Sequence, residues 1–450
     1  MIFPLIMTAI SIAALLVLVL KFRLPAFLAL ILVSLIFGLS TGMTPANVIN
    51  AVKTGMGGTL GFVAVVVGLG AMMGALLEVS GGVGAISNTI LKRFGERRSQ
   101  GALGLIGFLV AIPVFFDVAF IILMPVLLGL KEKTGKTIIY FALPVLAGLA
   151  VTHAFIPPTP GPIAVSEILG ADLGWVILFG FLAGLPAMFI AGPLFARIIA
   201  NSPTFQNIQT IDFTPGFEPP ENPISFKAAM SVIILPLLLI LSATIVTAMT
   251  GSGAWVMNET LKNVILFLGH PFVALLIACL YAWINFGLLR GVDSETLHNA
   301  MLKSLEPAGL VVLVTGAGGV FKQILVDSGA GKALAEALTA GSMPLLLFAF
   351  IVAGIVRVAQ GSATVSMITA AGLTAPVAQL ANIEGPGLAL IVIAIASGAS
   401  IVSHVNDSGF WLVSRYLGLT ETQTLKSWTI STTLIGVVGF SVCCVLSLFV

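Results

Sequence analysis

Apolar residues in this chain run on well past the length of an ordinary core helix, and the polar residues between the runs recur at intervals that divide it into similar pieces. A hydrocarbon layer about 30 Å thick takes roughly 20 helical residues to cross. That ruler finds twelve apolar segments, near 2–20, 24–42, 58–77, 101–130, 138–170, 175–199, 228–249, 263–289, 308–325, 344–376, 387–412 and 427–450. The stretch 201–227 carries Pro203, Pro215, Pro219, Pro220 and Pro223 with Asp212, Glu218 and Glu221, and reads as a hydrophilic linker between two halves.

The halves resemble one another. GLGAMMGALLEVSGG (68–82) matches GAGGVFKQILVDSGA (316–330) at an offset of 248, with Gly68, Gly70, Leu77, Ser80 and Gly81 falling on Gly316, Gly318, Leu325, Ser328 and Gly329. Thr152-His153, ahead of a proline-rich break, is answered by Ser403-His404 ahead of a polar one. Duplicated apolar units interrupted at corresponding places are the mark of a secondary transporter.

Basic residues set the orientation. Lys92, Arg93, Arg97 and Arg98 precede segment 101–130 and Lys131, Lys133 and Lys136 follow it, so the positive-inside rule puts both its ends in the cytoplasm and makes it a re-entrant hairpin. Segment 344–376 has only Lys332 near it and is expected to enter from the opposite face. Ten crossings and two hairpins then place both termini outside and give the repeats opposite orientations. The predicted fold is an all-α polytopic membrane protein of two inverted repeats with re-entrant hairpins and discontinuous helices. Its expected parts are N-terminal scaffold helices (1–57), repeat 1 with the cytoplasmic hairpin 101–130 (58–200), a cytoplasmic linker (201–227), scaffold helices (228–307), and repeat 2 with the periplasmic hairpin 344–376 (308–450).

Composition agrees and removes other classes. The chain is 58% hydrophobic, with 20 Lys and Arg against 18 Asp and Glu in 450 residues, a balance suited to lipid as solvent. A formal charge of +2 without any basic run interleaved with aromatics excludes a nucleic-acid partner. Cys279, Cys443 and Cys444 have no ligand spacing and sit in apolar runs, so neither a metal site nor a disulfide framework nor a cofactor is expected. There is no HExxH pair and no GxSxG elbow to support an intramembrane enzyme.

Backbone leaves the helix at membrane depth only where it is buried in protein or lines a watery cavity. Four places here must do so: the tip IPVFFDVAF (112–120) with Pro113 and Asp117, the tip RVAQGSATV (357–365), and the breaks THAFIPPTPGP (152–162) and SHVNDSGFW (403–411). Converging, they would form one pocket. Arg357 is its sharpest residue. A charge at mid-bilayer costs about 2.5–3.5 kcal/mol on insertion scales, and a guanidinium fork suits a carboxylate, so an anionic substrate is expected, with an ion pair to Asp117 or Asp407 as the structural alternative. Gln360, Gly361, Ser362, Thr364, His153, Thr159, Ser403, His404, Asn406 and Ser408 complete the candidate substrate site. Asp117, Asp407, His153 and His404 are the titratable candidates for proton coupling, with Asp117 preferred for its more apolar setting.

At these residues a family resemblance emerges. GGTLGF (57–62), FFDVAFIILMP (115–125), VTHAFIPPTPGP (151–162), GSATV (361–365) and SHVNDSGFW (403–411), in this order between about Lys21 and the C-terminus, resemble the gluconate permease family of bacterial inner-membrane symporters. The resemblance implies proton-coupled uptake of gluconate or a related sugar acid, in a superfamily similar to dimeric elevators, hence a homodimer in lipid. Family members also carry idonate, fructuronate, other hydroxy acids or D-serine, and sodium coupling stands as an alternative. The common family form of the proline-rich break has His where this chain has Thr159, so one titratable group is missing there.

Overall fold

The computed structural model describes residues 2–94, 99–206, 208, 224–251, 253–288, 292–333, 336 and 343–450. Arg97, Arg98 and most of the predicted linker lie outside the described residues.

The first half comprises α1 (Ile2–Leu20), α2 (Ala26–Ser40), α3 (Pro45–Val79), α4 (Gly82–Phe94), α5 (Ser99–Val110), α6 (Phe116–Thr134), α7 (Ile138–Phe155), α8 (Pro160–Leu169), α9 (Leu173–Phe189) and, after a π-helical turn, α10 (Phe195–Ile199). The second comprises α11 (Phe226–Gly251), α12 (Glu259–Leu268), α13 (Pro271–Trp283) followed by a second π turn at Ile284–Leu288, α14 (Ser294–Asp327), α15 (Leu345–Gln360), α16 (Ala363–Leu380), α17 (Pro386–Ser400), α18 (Ser408–Leu417), α19 (Glu421–Thr424) and, after a third π turn at Leu425–Thr429, α20 (Ile430–Leu446).

The repeat first visible as sequence identity is built into the helix ends. α3 stops at Ser80, whose Oγ donates to Leu77 O (3.0 Å), and the chain reverses at Gly81 with φ 75°. α14 stops at Ser328, whose Oγ donates to Leu325 O (3.3 Å), and reverses at Gly329 with φ 74°. Both ends satisfy orphan carbonyls with a hydroxyl and use glycine in the left-handed region, where a side chain would be strained.

Packing is duplicated too. α3 and α14 pack on one another; α2 lies on α14 as α13 lies on α3; α5 packs on α7 as α15 packs on α17; and α9 touches α17 as α20 touches α7. The two hairpin contacts are made by backbone. A Cβ on Gly107 of α5 would meet Val145 O of α7 at 2.2 Å, and one on Gly398 of α17 would meet Phe350 O of α15 at 2.1 Å. Small residues permit this approach where lipid supplies no hydrophobic drive between helices.

The first arm of each hairpin is short. α5 has 12 residues and α15 has 16, about 18 and 24 Å at 1.5 Å per residue, short of a full crossing. The half-helices α8 and α18 have 10 residues each. Among the described residues seven helices are long and apolar enough to cross a membrane, or eight if a bent pair is one span. That pair differs from the expected straight span 263–289: α12 and α13 meet at 62° around Gly269-His270. His270 caps α13 through Nδ1, which accepts from Phe272 N (3.4 Å), and Pro271 opens the new helix. Segments 58–77 and 308–325 prove to be the apolar parts of the longer α3 and α14.

Enclosure differs widely between spans. In the span containing α7 and α8, 83% of the apolar window is buried, against 39% in α11. α12 buries none of its residues and shows Leu261, Val264 and Phe267 outward.

Candidate binding site

Three helices, one from the first half and two from the second, begin at the same place. α6 starts at Phe116 after the tip of the first hairpin, α16 at Ala363 after the tip of the second, and α18 at Ser408 after the break in segment 387–412. Their first residues, Phe116-Asp117, Ala363-Thr364 and Ser408-Gly409, all line one cavity of about 390 Å³, within the range of about 300–1,000 Å³ common for small-molecule sites. Helix N-termini present unpaired N–H groups and the positive end of the macrodipole, so three of them favour an anion.

Arg357 supplies the full positive charge. It sits in the last turn of α15, where the dipole favours a cation, and its side chain is 5% exposed. Nη2 pairs with Asp407 Oδ2, while Nε is buried without a partner. Asp407 is the N-cap of α18: its Oδ1 accepts from Gly409 N (3.0 Å), and its Oδ2 accepts from Ser403 Oγ as well as from Arg357. The structural ion pair weighed from sequence is therefore present, and with Asp407. Asp117 faces the same cavity from the first turn of α6.

The second tip is tied to the second break. Gly361 turns the chain at φ 86°, and a Cβ there would meet Asn406 O at 2.2 Å. Asn406 Nδ2 donates to Val358 O (2.9 Å) and Ala359 O (3.2 Å), and His404 Nε2 lies 2.9 Å from Val358 O. These side chains satisfy carbonyls that α15 leaves open at its end. Ser362 caps α16, accepting from Val365 N (3.3 Å).

Inside the break, threonines of α20 and of the π turn before it replace the missing helix bonds. Val402 stands at φ 47°, rare for a β-branched residue, and its N donates to Thr433 Oγ1 (3.1 Å). Ser403 N donates to Thr432 Oγ1 (3.2 Å), and Thr429 Oγ1 donates to Ser403 O.

Of the residues singled out from sequence, Asp117, His153, Arg357, Gln360, Gly361, Ser362, Thr364, Asn406, Asp407 and Ser408 line the cavity together. Three do not. Thr159 is buried, donates to Ile156 O, and borders a separate space of about 20 Å³ shared with His153. Ser403 is fully buried beneath Asp407, and His404 is held on Val358 O. The two His residues are also not equivalent. His153 lies inside α7, two residues before its end, whereas His404 follows the end of α17, because the second break opens earlier.

Phe115, Phe116, Trp428 and Thr432 line the cavity without having been singled out. Phe115 and Phe116 stand in the tip motif beside Asp117, and the signal for Thr432 was its spacing with Thr429 and Thr433: a hydroxyl stripe at helical intervals in a membrane segment faces protein.

Known proteins resemble this chain along its whole length. The family described as GntP family permease matches residues 3–449. The low-affinity gluconate transporter of Escherichia coli K12 is 42% identical over 97% of this chain and 96% of its own length. The high-affinity gluconate transporter of the same strain is 37% identical over 99% and 100%. Its Gnt-II system L-idonate transporter is 35% identical over 97% of each. Among solved structures, the YdaH transporter of Alcanivorax borkumensis matches with a TM-score of 0.65 at 17% identity, covering 94% of this chain and 98% of its own. MtrF of Neisseria gonorrhoeae, an antimetabolite efflux pump, matches at 0.63 and 13% over 94% of each. At such identity the likeness is one of fold.

Proposed function

The chain belongs to the GntP family of permeases, multi-pass transporters of the bacterial inner membrane and not enzymes, and from that premise we propose that it carries gluconate or a closely related sugar acid inward together with a proton. The observation that carries this reading is the cavity where Arg357 and three helix N-termini meet beside two carboxylates. The guanidinium fork takes the substrate carboxylate. Gln360, Ser362, Thr364, Asn406 and Ser408 offer amides and hydroxyls to the polyol chain.

Charge gives the coupling its logic. Arg357 is already neutralised by Asp407, so an incoming carboxylate displaces Asp407 from it, and a carboxylate deprived of its cation in an enclosed site takes up a proton. Asp117 is the second seat for that proton, and His153 lines the same cavity. We place the open end of hairpin 101–130 and the linker 201–227 in the cytoplasm, the open end of hairpin 344–376 in the periplasm, and the functional unit in lipid as a homodimer. Segments 1–57 and 228–307 serve as scaffold and the repeats at 58–200 and 308–450 as carriers of the site.

Uptake of radiolabelled gluconate into proteoliposomes under an imposed proton or sodium gradient tests the reading. Accumulation driven by the proton gradient alone, competed by idonate and not by D-serine, is the expected result. Uptake that follows sodium, or competition by D-serine only, would replace it.

A further inference from the structure

One side chain at the cavity is bonded at every polar atom and cannot reach a ligand. Ser403 has no exposed surface; its N donates to Thr432 Oγ1, its O accepts from Thr429 Oγ1, and its Oγ donates to Asp407 Oδ2 while accepting from Trp428 Nε1 (2.8 Å). Trp428 lies in the π-helical turn Leu425–Thr429, a rare widening of the helix that is frequent at functional sites. The ring is 3% exposed and packs on Phe116 at the first hairpin tip, with centroids 5.6 Å apart. A chain of donors therefore runs from Trp428 through Ser403 to the Asp407 oxygen that also holds Arg357.

We propose that Trp428 and Ser403 are positioning residues which, acting through Asp407, set the pH at which the Arg357–Asp407 pair opens to an anion. This inference rests on the transport reading above. A hydroxyl that accepts from an indole N–H is a stronger donor onward, and a donor to a carboxylate favours its ionised form. Removing either link leaves Asp407 holding a proton to higher pH. The other charged or titratable groups facing Asp407 are Arg357 on α15, Asp117 on α6 and His153 on α7, while His404 on its own loop is held on Val358 O, and all stay in place in the variants below.

Gluconate binding to the purified protein, measured calorimetrically from pH 5 to pH 9, reads the midpoint. One hydrogen bond is worth about half to one pH unit. Trp428→Phe, which keeps a ring on Phe116, should move the midpoint up by about half a unit, and Ser403→Ala by about one. The double variant should move no further than Ser403→Ala, and Ser403→Thr, which restores a hydroxyl, should return the parental midpoint. Parental midpoints in both single variants, additive shifts in the double variant, or a parent whose binding ignores pH would overturn the proposal. If Trp428→Phe fails to fold, the Ser403 variants decide. A second arm needs no substrate: tryptophan fluorescence titrated with pH should show a transition in the parent that is lost in Asp407→Asn and displaced in Ser403→Ala. A parent that binds no gluconate at any pH counts against the transport reading, whereas an undisplaced fluorescence transition counts against the positioning role itself.

Discussion

Arg357 and Asp407 are each other's partners before any substrate arrives, and that makes the outcome of changing one depend on the other. Truncating one member of a buried pair costs about 3–5 kcal/mol because the survivor is left uncompensated. Arg357→Ala should therefore lose both gluconate binding and thermal stability. Arg357→Ala combined with Asp407→Asn should recover most of the melting temperature and none of the binding. Arg357→Lys should bind weakly, since an ammonium lacks the planar fork. Calorimetry and thermal melting of the three variants check this, and near-normal affinity in Arg357→Ala would make the residue purely structural. For Asp117, the amide variant should keep gluconate exchange between equal pools yet lose accumulation against a gradient, if this carboxylate is the proton's seat. Retained accumulation with the parental pH dependence moves the role to Asp407. At this scale the sequence was informative wherever a polar group interrupted an apolar run, as for Arg357, Asp117 and Asp407. It was silent on direction. Thr159 and His404 sit in the right breaks, but their polar atoms are turned to carbonyls of Ile156 and Val358, and no one-dimensional pattern reports which way a loop side chain points.

Hairpins and broken helices were legible because their signals are coarse: a basic cluster at both ends of one segment, and Pro or Gly inside long apolar runs. The bend between α12 and α13 carried the same kind of signal in Gly269-His270-Pro271, but the two helices together have the length and apolarity of one span, so the length ruler counted them as one. The π turn at Leu425–Thr429 was hidden, as one extra residue per turn leaves composition unchanged. The second hairpin depends on a single position. Gly361→Ala places a methyl 2.2 Å from Asn406 O at a φ of 86°, a conformation costing a non-glycine residue about 1–2 kcal/mol before the clash is counted. Transport should fall at least tenfold while insertion persists, measured as uptake per molecule of protein in the membrane. Single cysteines at Gly101 and Leu130 should react with a membrane-impermeant thiol reagent only in inverted vesicles, because both flanks are basic. Labelling of either from intact cells would refute the cytoplasmic hairpin.

For the molecule as a whole, the offset of 248 in the sequence predicted a division that the structure keeps, from the serine-glycine ends of α3 and α14 to the exchanged packing of α2 and α13. The copies have nevertheless divided their labour. The first tip brings Phe115, Phe116 and one carboxylate to the cavity, while the second brings Arg357, Gln360, Ser362 and Thr364. Repetition shaped the container and divergence stocked it, which is why architecture was easier to read than chemistry. The cavity lining holds one guanidinium and two carboxylates. A carrier so furnished has no fixed direction. On the proton-coupled reading proposed above, it would follow the sum of the substrate's gradient and the proton's, so alkaline surroundings would favour the exit of stored sugar acid through the same route that takes it in.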